Sequence, residues 1–500
     1  MTDEAVQGPR NVVVFRIVLA LMTFMLCFGA MTAAGYVLRI STRSGGSMSP
    51  KHIYDSRLGW TARPGYRNDH ERHPPYPLPL SVGINSDGFR DVEWPRPGQR
   101  KPEGEWILVL GDSFIFGWAS FREDTFTSIA RELAADNRVD AEFFNGGMNG
   151  YGFHHYHRMM ELYSDELKPT QVWVMLTAND VGDSATPYDH HYERRVYKPF
   201  YDEAGKLTKP IVPRRASLKY ADSLFGAWPG IYVIDALQYA VEDVGHYMAG
   251  LPIRLTSPGP IRHYDGLIND DTTRARFPAI DRMVRKNIED MIALAKAKKI
   301  RIRFINNFAD RGFDKYFADY VDYYDPGDPL VLALDGWVSH LHEEHPGYLW
   351  ATVLAGRVLG IDDADGALTR ALARRMTGNL DFSAKRDASR ALSGDGWKIG
   401  PDDRLLLKGG TSGFLKLFID RAGRGGVSLS LTIRQSVSPD QIRVSGLSGA
   451  CQQSSTRPAA ERRLEFLCRA RLPELPHLGL FRIDTTADVD FESAAIVGAK

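Results

Sequence analysis

Trp106–Ser113 reads WILVLGDS, a short apolar run that ends in Gly-Asp-Ser. A run of that length without polar alternation is a strand buried on both faces. The glycine permits a tight turn, and the serine is then exposed at the strand's end, before a helix. Two further runs take the same form: AEFFNGG (Ala141–Gly147) and TQVWVMLTAND (Thr170–Asp180). Ile300–Ile305 reads as a fourth strand. Helical sequence lies between and after them, from about Asp124 to Ala135, over His154–Leu167, over Pro278–Lys299 and over Gly347–Gly360. Strands alternating with helices predict an α/β unit with a parallel sheet covered on both faces. Active residues then belong at the carboxyl ends of the strands.

Working outward, residues 101–365 form this unit, interrupted by an insertion over 181–273. Within the insertion, Arg195–Pro213 predicts a hairpin turning at Asp202-Glu203-Ala204-Gly205. The apolar stretch Leu224–Met248 is most helix-like after Pro229-Gly230. Residues 39–100 form a tether and an entry segment, in which YDSRLGW (Tyr54–Trp60) and INSDGFR (Ile84–Arg90) read as short strands and turns. Beyond Asn379 the helical pattern fades. Runs such as RLLLKG, FLKLFIDR, VSLSLTIRQ, QIRVSGL, LEFLCRARL and LFRIDTT predict an antiparallel β-sandwich over 380–500.

The N-terminal end is apolar. Ile17–Leu38 holds no charged residue, and 22 residues of helix span ~33 Å, enough for a bilayer core of ~30 Å. We read residues 12–38 as a retained transmembrane anchor. A buried helix of a soluble protein is one alternative; a cleaved signal peptide is the other, because Ala30-Met31-Thr32-Ala33-Ala34 is a run of small residues, although the stretch is long for such a peptide. Charges flanking the span lean toward a cytoplasmic body. Cys451 and Cys468, the only cysteines outside the span, lean the other way if they pair, since a disulfide belongs to an oxidising compartment. Two unrelated buried thiols are the competing reading.

Composition bounds the partners. The chain has 500 residues, more than one core normally holds. Lys+Arg 62 balance Asp+Glu 62, so no basic field gathers phosphates and nucleic acid is not an expected partner. Three cysteines are too few for a disulfide scaffold, and no Cys/His spacing suits zinc. The HHYH run (His154, His155, His157) lacks a metal-site spacing and reads as a surface or cleft-edge helix.

The order of these blocks resembles the SGNH/GDSL hydrolase superfamily of esterases, lipases and acyl-transferring enzymes. VLGDSFIFG (Val109–Gly117) matches its nucleophile block, NGGMNGYG (Asn145–Gly152) its second and LTAND (Leu176–Asp180) its third, with Thr177 where glycine is usual. The resemblance implies a flavodoxin-like three-layer α/β/α domain. It implies Ser113 as nucleophile and an oxyanion hole of the Ser113 N–H, the Gly150 N–H and the Asn179 amide. The last block, LDGWVSHLHEEHPGYLWATVLA (Leu334–Ala355), departs from the family's Asp-x-x-His. His340 begins a family-like run and lies nearest Asp335. His342 has the usual offset to a glycine, Gly347, and His345 places that glycine too soon. His340 and His342 both stand as the base, with Asp335 as the orienting carboxylate.

The entry segment resembles that of membrane-anchored bacterial members, which often act on acyl groups of surface polysaccharides. SGDGW (Ser393–Trp397) resembles accessory sandwiches of bacterial carbohydrate-active proteins. The expected function is therefore an inner-membrane, single-pass serine esterase with a periplasmic body. Its substrate would be an acyl ester, O-acetyl above all, on a glycan or a small molecule, and it would need no cofactor or metal. An O-acyltransferase with the same site is one alternative. A non-catalytic carbohydrate-binding or assembly protein on a degenerate scaffold is the other.

Overall fold

The computed structural model describes residues 8–43, 51–71, 80–95, 104–118, 120–184, 188–189, 196–201, 204–207, 228–231, 233–234, 237, 241, 278–306, 313–317, 320, 322–324, 339–340, 343–361, 367–376, 379–381, 392–393, 397–399, 405–418, 427–433, 441–446, 449–453, 463–468, 471–472, 475–486 and 488–499. In chain order the elements begin with helix α1 (Gly8–Arg43), strands β1 (His52–Asp55) and β2 (Gly59–Ala62), and β3 (Arg67–Glu71) and β4 (Leu80–Gly83). Then come β5 (Glu105–Leu110), α2 (Ser113–Phe116), α3 (Phe126–Asp136), β6 (Ala141–Asn145), α4 (Phe153–Glu166), β7 (Gln171–Leu176) and α5 (Asp180–Ser184). After β8 (Tyr188–Asp189) and β9 (Val196–Tyr197) follow α6 (Pro278–Lys298), β10 (Arg301–Asn306), α7 (Asp314–Phe317) and β11 (Tyr323–Tyr324). The hairpin strands β12 (Ser339–His340) and β13 (Glu343–Pro346) lead into α8 (Tyr348–Leu359).

The chain divides into two compact units. One comprises Met1–Thr61, Thr186–Phe200 and Leu207–His263; the other comprises Ala62–Ala185, Tyr201–Lys206 and Tyr264–Lys500. In the first, α1 carries an apolar span, Val12–Val37, with its side chains exposed along most of its length. The pair β8 and β9 is antiparallel, Tyr188 opposite Tyr197. Of the hairpin expected over 195–213, Gly205 has φ 73°, and residues 195, 202–203 (half of the expected turn) and 208–213 lie outside the described residues.

Among the described residues, the second unit is built on a five-stranded sheet in the order β11-β10-β7-β5-β6, with every pairing parallel. That bears out the α/β reading, and the short β11 at the edge was not foreseen. All six residues of β7 are buried, as a central strand covered on both faces requires. One face carries Ile107, Val109, Phe143, Trp173, Met175 and Ile305, which pack with α3 and α8 in a single cluster. The alternate residues Leu108, Leu110, Val172 and Val174 turn to the other side, where α4 and α6 pack on one another. The helices end where the sequence dictates. Thr125 caps α3 by accepting from the Ser128 N–H at 3.4 Å, and Gly360, at φ 69°, closes α8.

The described residues beyond 379 form two antiparallel sheets, of seven and six strands. Alternate residues of both sheets, among them Trp397, Leu415, Leu429, Phe481 and Phe491, share one buried cluster. Among the described residues, each run singled out in the sequence contributes to a strand. The long final strand, Val489–Ala499, was not anticipated, although it pairs along Val427–Ile433. Cys451 and Cys468, left open above, are joined by a disulfide.

Candidate active site

The GDS turn sets the site. β5 ends at Leu110, and Gly111 follows where a Cβ would collide with the Ile115 side chain. Asp112, fully buried, caps α2 by accepting from the Phe114 N–H at 2.9 Å. Ser113 is then the first residue of α2, half-buried. The turn closes at Gly117, which has φ 75°. The backbone thus places Ser113 at the carboxyl end of β5.

The second block folds back onto this turn. Gly146 N–H donates to Val109 O at 2.8 Å and Met148 N–H to Gly111 O at 3.1 Å. The Asn145 side chain holds the approach, donating to Ile115 O at 2.8 Å and accepting from the Gly147 N–H at 2.9 Å. At Gly147 a Cβ would strike the backbone nitrogen of Phe116, so only glycine fits. Gly150 has φ 72°, in the left-handed region. Among the described residues no hydrogen bond engages its N–H.

The third block closes the other side. Thr177 N–H donates to Asp180 at 2.8 Å, and the Thr177 hydroxyl to Asp112 at 3.4 Å. The Asn179 amide nitrogen donates to Asp112 Oδ2 at 3.0 Å and to Asp183 Oδ2 at 2.8 Å. Asn179 is therefore brought beside the GDS turn, but two carboxylates hold its donors here. The sequence marked Asp112 only as part of the Gly-Asp-Ser turn, and Asp183 not at all. The Asp183 role follows from a one-turn spacing, Asn179 to Asp183, on the first turn of α5.

A buried carboxylate lies behind this layer. Asp180 accepts from the Tyr156 hydroxyl at 2.7 Å. Burial, and next the nearby Asp112 charge, hold its carboxyl well above the usual range; the Thr177 N–H and Tyr156 hydroxyl oppose the shift. Burial raises the Tyr156 phenol too, followed by Asp180 and Asp112.

The entry segment supports the turn from outside. The Arg90 guanidinium donates to the carbonyls of Gly117 and Ser120. Asp91 accepts from the Trp94 indole at 3.0 Å, from Arg131 at 3.1 Å and from the Asn145 N–H at 2.8 Å. Both residues are buried, and a polar group so placed requires such partners. The NSDGFR segment is thus a buttress of the site, a role its composition does not reveal.

The histidine block is described only in its backbone. β12 pairs with β13, His340 opposite Glu343. Cα atoms of β13, which contains His345, approach those of α2 within 8 Å. His340 lies on β12 of the same hairpin; Asp335 and His342 lie outside the described residues.

The HHYH helix corrects its reading as a surface or cleft-edge element. His154, His155 and His157 are buried, because α4 lies under α6. His154 accepts at Nδ1 from Asn287 at 3.1 Å and meets Ser184 O through Nε2 at 2.7 Å. His157 faces Asn287 Oδ1 at 3.3 Å, and burial lowers its pKa. His155 stacks on Tyr151 with ring centroids 3.9 Å apart. Amide and carbonyl partners hold His154, an amide and the Glu161 carboxylate, 3.8 Å away, hold His157, and a ring stack holds His155. That cannot be read from spacing alone.

No family model matches the sequence, and no curated protein matches it. Solved structures similar to the chain include esterases. The psychrotrophic esterase EstA from Pseudoalteromonas sp. is 10% identical, with 54% of this chain and 99% of that one covered and a TM-score of 0.27. A two-domain esterase (CEX) active on acetylated mannans is 10% identical, covering 79% and 90%, with a TM-score of 0.25. AlinE4, an SGNH-hydrolase family esterase, is 14% identical, covering 45% and 84%, with a TM-score of 0.18. At such scores the reading of the site rests on its own geometry.

Proposed function

We propose that the chain is a serine esterase that cleaves acyl esters, O-acetyl groups on a glycan above all, through an acyl-enzyme. One observation carries the reading. Ser113, Gly150 and Asn179 stand after β5, β6 and β7, three neighbouring parallel strands, and a histidine-bearing hairpin meets the Ser113 turn. In this reading Ser113 attacks the ester carbonyl while His340 or His342, oriented by Asp335, takes its proton. The tetrahedral oxyanion receives the N–H groups of Ser113 and Gly150 and one Asn179 N–H, which turns from a carboxylate to the substrate. The same histidine protonates the leaving alcohol. Water then attacks the acyl-enzyme, and its proton returns through the histidine to Ser113.

Acyl transfer differs only in the last acceptor, a sugar hydroxyl in place of water. The full-length chain in detergent, incubated with an acetylated polysaccharide, tests the proposal by acetate release. Release that persists in Ser113→Ala refutes the assignment. For the compartment, the Cys451–Cys468 bond supports an oxidising one and hence a periplasmic body. A phosphatase reporter fused after Lys500 should be active there and a cytoplasm-dependent fluorescent reporter dark; the opposite pattern overturns that placement.

A further inference from the structure

Gly150 and Asn179, the two oxyanion donors outside the Ser113 turn, stand on different loops. Gly150 precedes α4, and Asn179 precedes α5. A parallel sheet spaces its strands, but the loops beyond them need contacts of their own to stand at a fixed distance. Those contacts converge on Tyr156, one turn into α4. Its hydroxyl donates to Asp180 Oδ1 at 2.7 Å and lies 3.4 Å from the Tyr151 carbonyl oxygen. The shorter contact takes most of the single proton. Tyr151 follows Gly150 and Asp180 follows Asn179, so one phenol reaches the residue after each donor.

Ser184, at the end of α5, closes the same gap. Its hydroxyl accepts from the Phe153 N–H at 2.9 Å and donates to the Asp180 carbonyl at 2.7 Å. It thereby joins the first residue of α4 to the first residue of α5. Gly152 has no room for a side chain here, because a Cβ would lie 2.9 Å from both the Asp180 carbonyl oxygen and Ser184 Oγ. Asp180 in turn closes the loop that holds Asn179. Its Oδ2 accepts from the Thr177 N–H at 2.8 Å, and its N–H donates to the Thr177 carbonyl at 2.9 Å. Tyr151, Tyr156, Asp180 and Ser184 are all buried. A polar group that loses its partner there costs more than in water, so the loops follow these bonds. Burial, then the Asp180 and Asp112 charges, raises the Tyr156 phenol, so it keeps its proton and remains a donor at neutral pH.

We infer that Tyr156 and Ser184 are positioning residues that clasp the Gly150 loop to the Asn179 loop and so set the spacing of the two oxyanion donors. The inference rests on the esterase reading of the site and adds to it two residues that lie outside its sequence blocks. Neither touches substrate. Tyr156 acts through Asp180, and Ser184 through the starts of both helices. An oxyanion hole works through donors fixed before the charge develops. Displacing one donor from the other therefore weakens the transition state and leaves ester binding little changed. A misplacement of about 1 Å is worth up to ~10²-fold in rate.

The test is steady-state hydrolysis of para-nitrophenyl acetate by the full-length chain in detergent. The parent is compared with Tyr156→Phe, Ser184→Ala, Asn179→Ala and the double variant Tyr156→Phe/Asn179→Ala, each checked for folding by thermal unfolding. Tyr156→Phe should lower kcat ~10-fold or more with KM within about twofold, and Ser184→Ala should act in the same direction. The double variant should lose less than the product of the two single losses, because the position of the Asn179 donor no longer counts once the donor is gone. A folded Tyr156→Phe with the parent's kcat, beside an Asn179→Ala that loses ~10²-fold, overturns the inference. So does a loss confined to KM, and so do losses that multiply in full, which would make Tyr156 a support independent of Asn179. If Tyr156→Phe does not fold, Ser184→Ala and its double variant with Asn179→Ala decide the matter by the same outcomes. A parent that hydrolyses no ester and takes no fluorophosphonate on Ser113 shows instead that the esterase reading has failed, and the clasp falls with it.

Discussion

Lys416 gives a prediction that can be worked through. It lies on the strand Thr411–Phe418, opposite Leu480. Its neighbours Leu415 and Leu417 enter the common core of the two C-terminal sheets. Lys416 takes the other face with Phe414, which packs against the core of the parallel sheet. The side chain is buried, its Nζ 5.8 Å from the centre of the Tyr348 ring, and no ion pair reaches it among the described residues. Burial pushes its ammonium down to about 7, from an ordinary 10.5. Keeping the amine neutral across that interval costs up to about 5 kcal/mol, at about 1.4 kcal/mol per pH unit. Between pH 7 and 10.5 the unfolded chain holds a proton that the folded chain lacks, so this group makes stability rise with pH; below about 7 its contribution is flat.

Lys416→Met keeps the volume and removes the charge. Allowing for imperfect packing and the lost ring contact, the variant should gain about 3 kcal/mol at pH 7, or roughly 5–10 °C in Tm. The gain should shrink toward zero by pH 10. Thermal unfolding of the full-length chain in detergent, followed by near-ultraviolet circular dichroism at pH 7, 8, 9 and 10, reads the effect. A variant less stable than the parent at pH 7, or one whose advantage is the same at pH 7 and 10, refutes the reasoning.

Further predictions concern the site. Asn179→Ala should lower kcat by ~10²-fold or more with a smaller change in KM, because its donor acts on the developing oxyanion; a change confined to KM would make it a ground-state contact instead. Either His340→Ala or His342→Ala should match Ser113→Ala in steady-state hydrolysis of a small acetyl ester, while the other costs little. Asp335→Asn should fall between them, and full activity in both histidine variants would remove the hairpin from the mechanism.

The parallel sheet was legible because its strands are apolar without alternation and its helices are strongly periodic. The ends of α8 were legible too, at Gly347 and Gly360, which flank it. What the sequence concealed are polar residues whose meaning depends on distant partners. Arg90 and Asp91 look like surface charges, yet they brace Gly117, Ser120 and Asn145 from within. His154 and His157 resemble a ligand cluster or a wet face, yet Asn287, 133 residues from His154, satisfies both. Asn179 was marked by its motif, but its contacts with two carboxylates were not, since Asp112 meets it only across the sheet. The pairing of Trp228 with Thr32 joins positions 196 residues apart, beyond the reach of any local pattern.

The central claim is that Ser113 is an activated nucleophile held at the end of β5. Incubation of the full-length chain with a fluorophosphonate, followed by mass analysis of its peptides, tests it most directly. The account predicts one adduct, on Ser113, lost in Ser113→Ala and slowed when the catalytic histidine is replaced. A chain left unlabelled, or labelled elsewhere while Ser113 stays free, would contradict it.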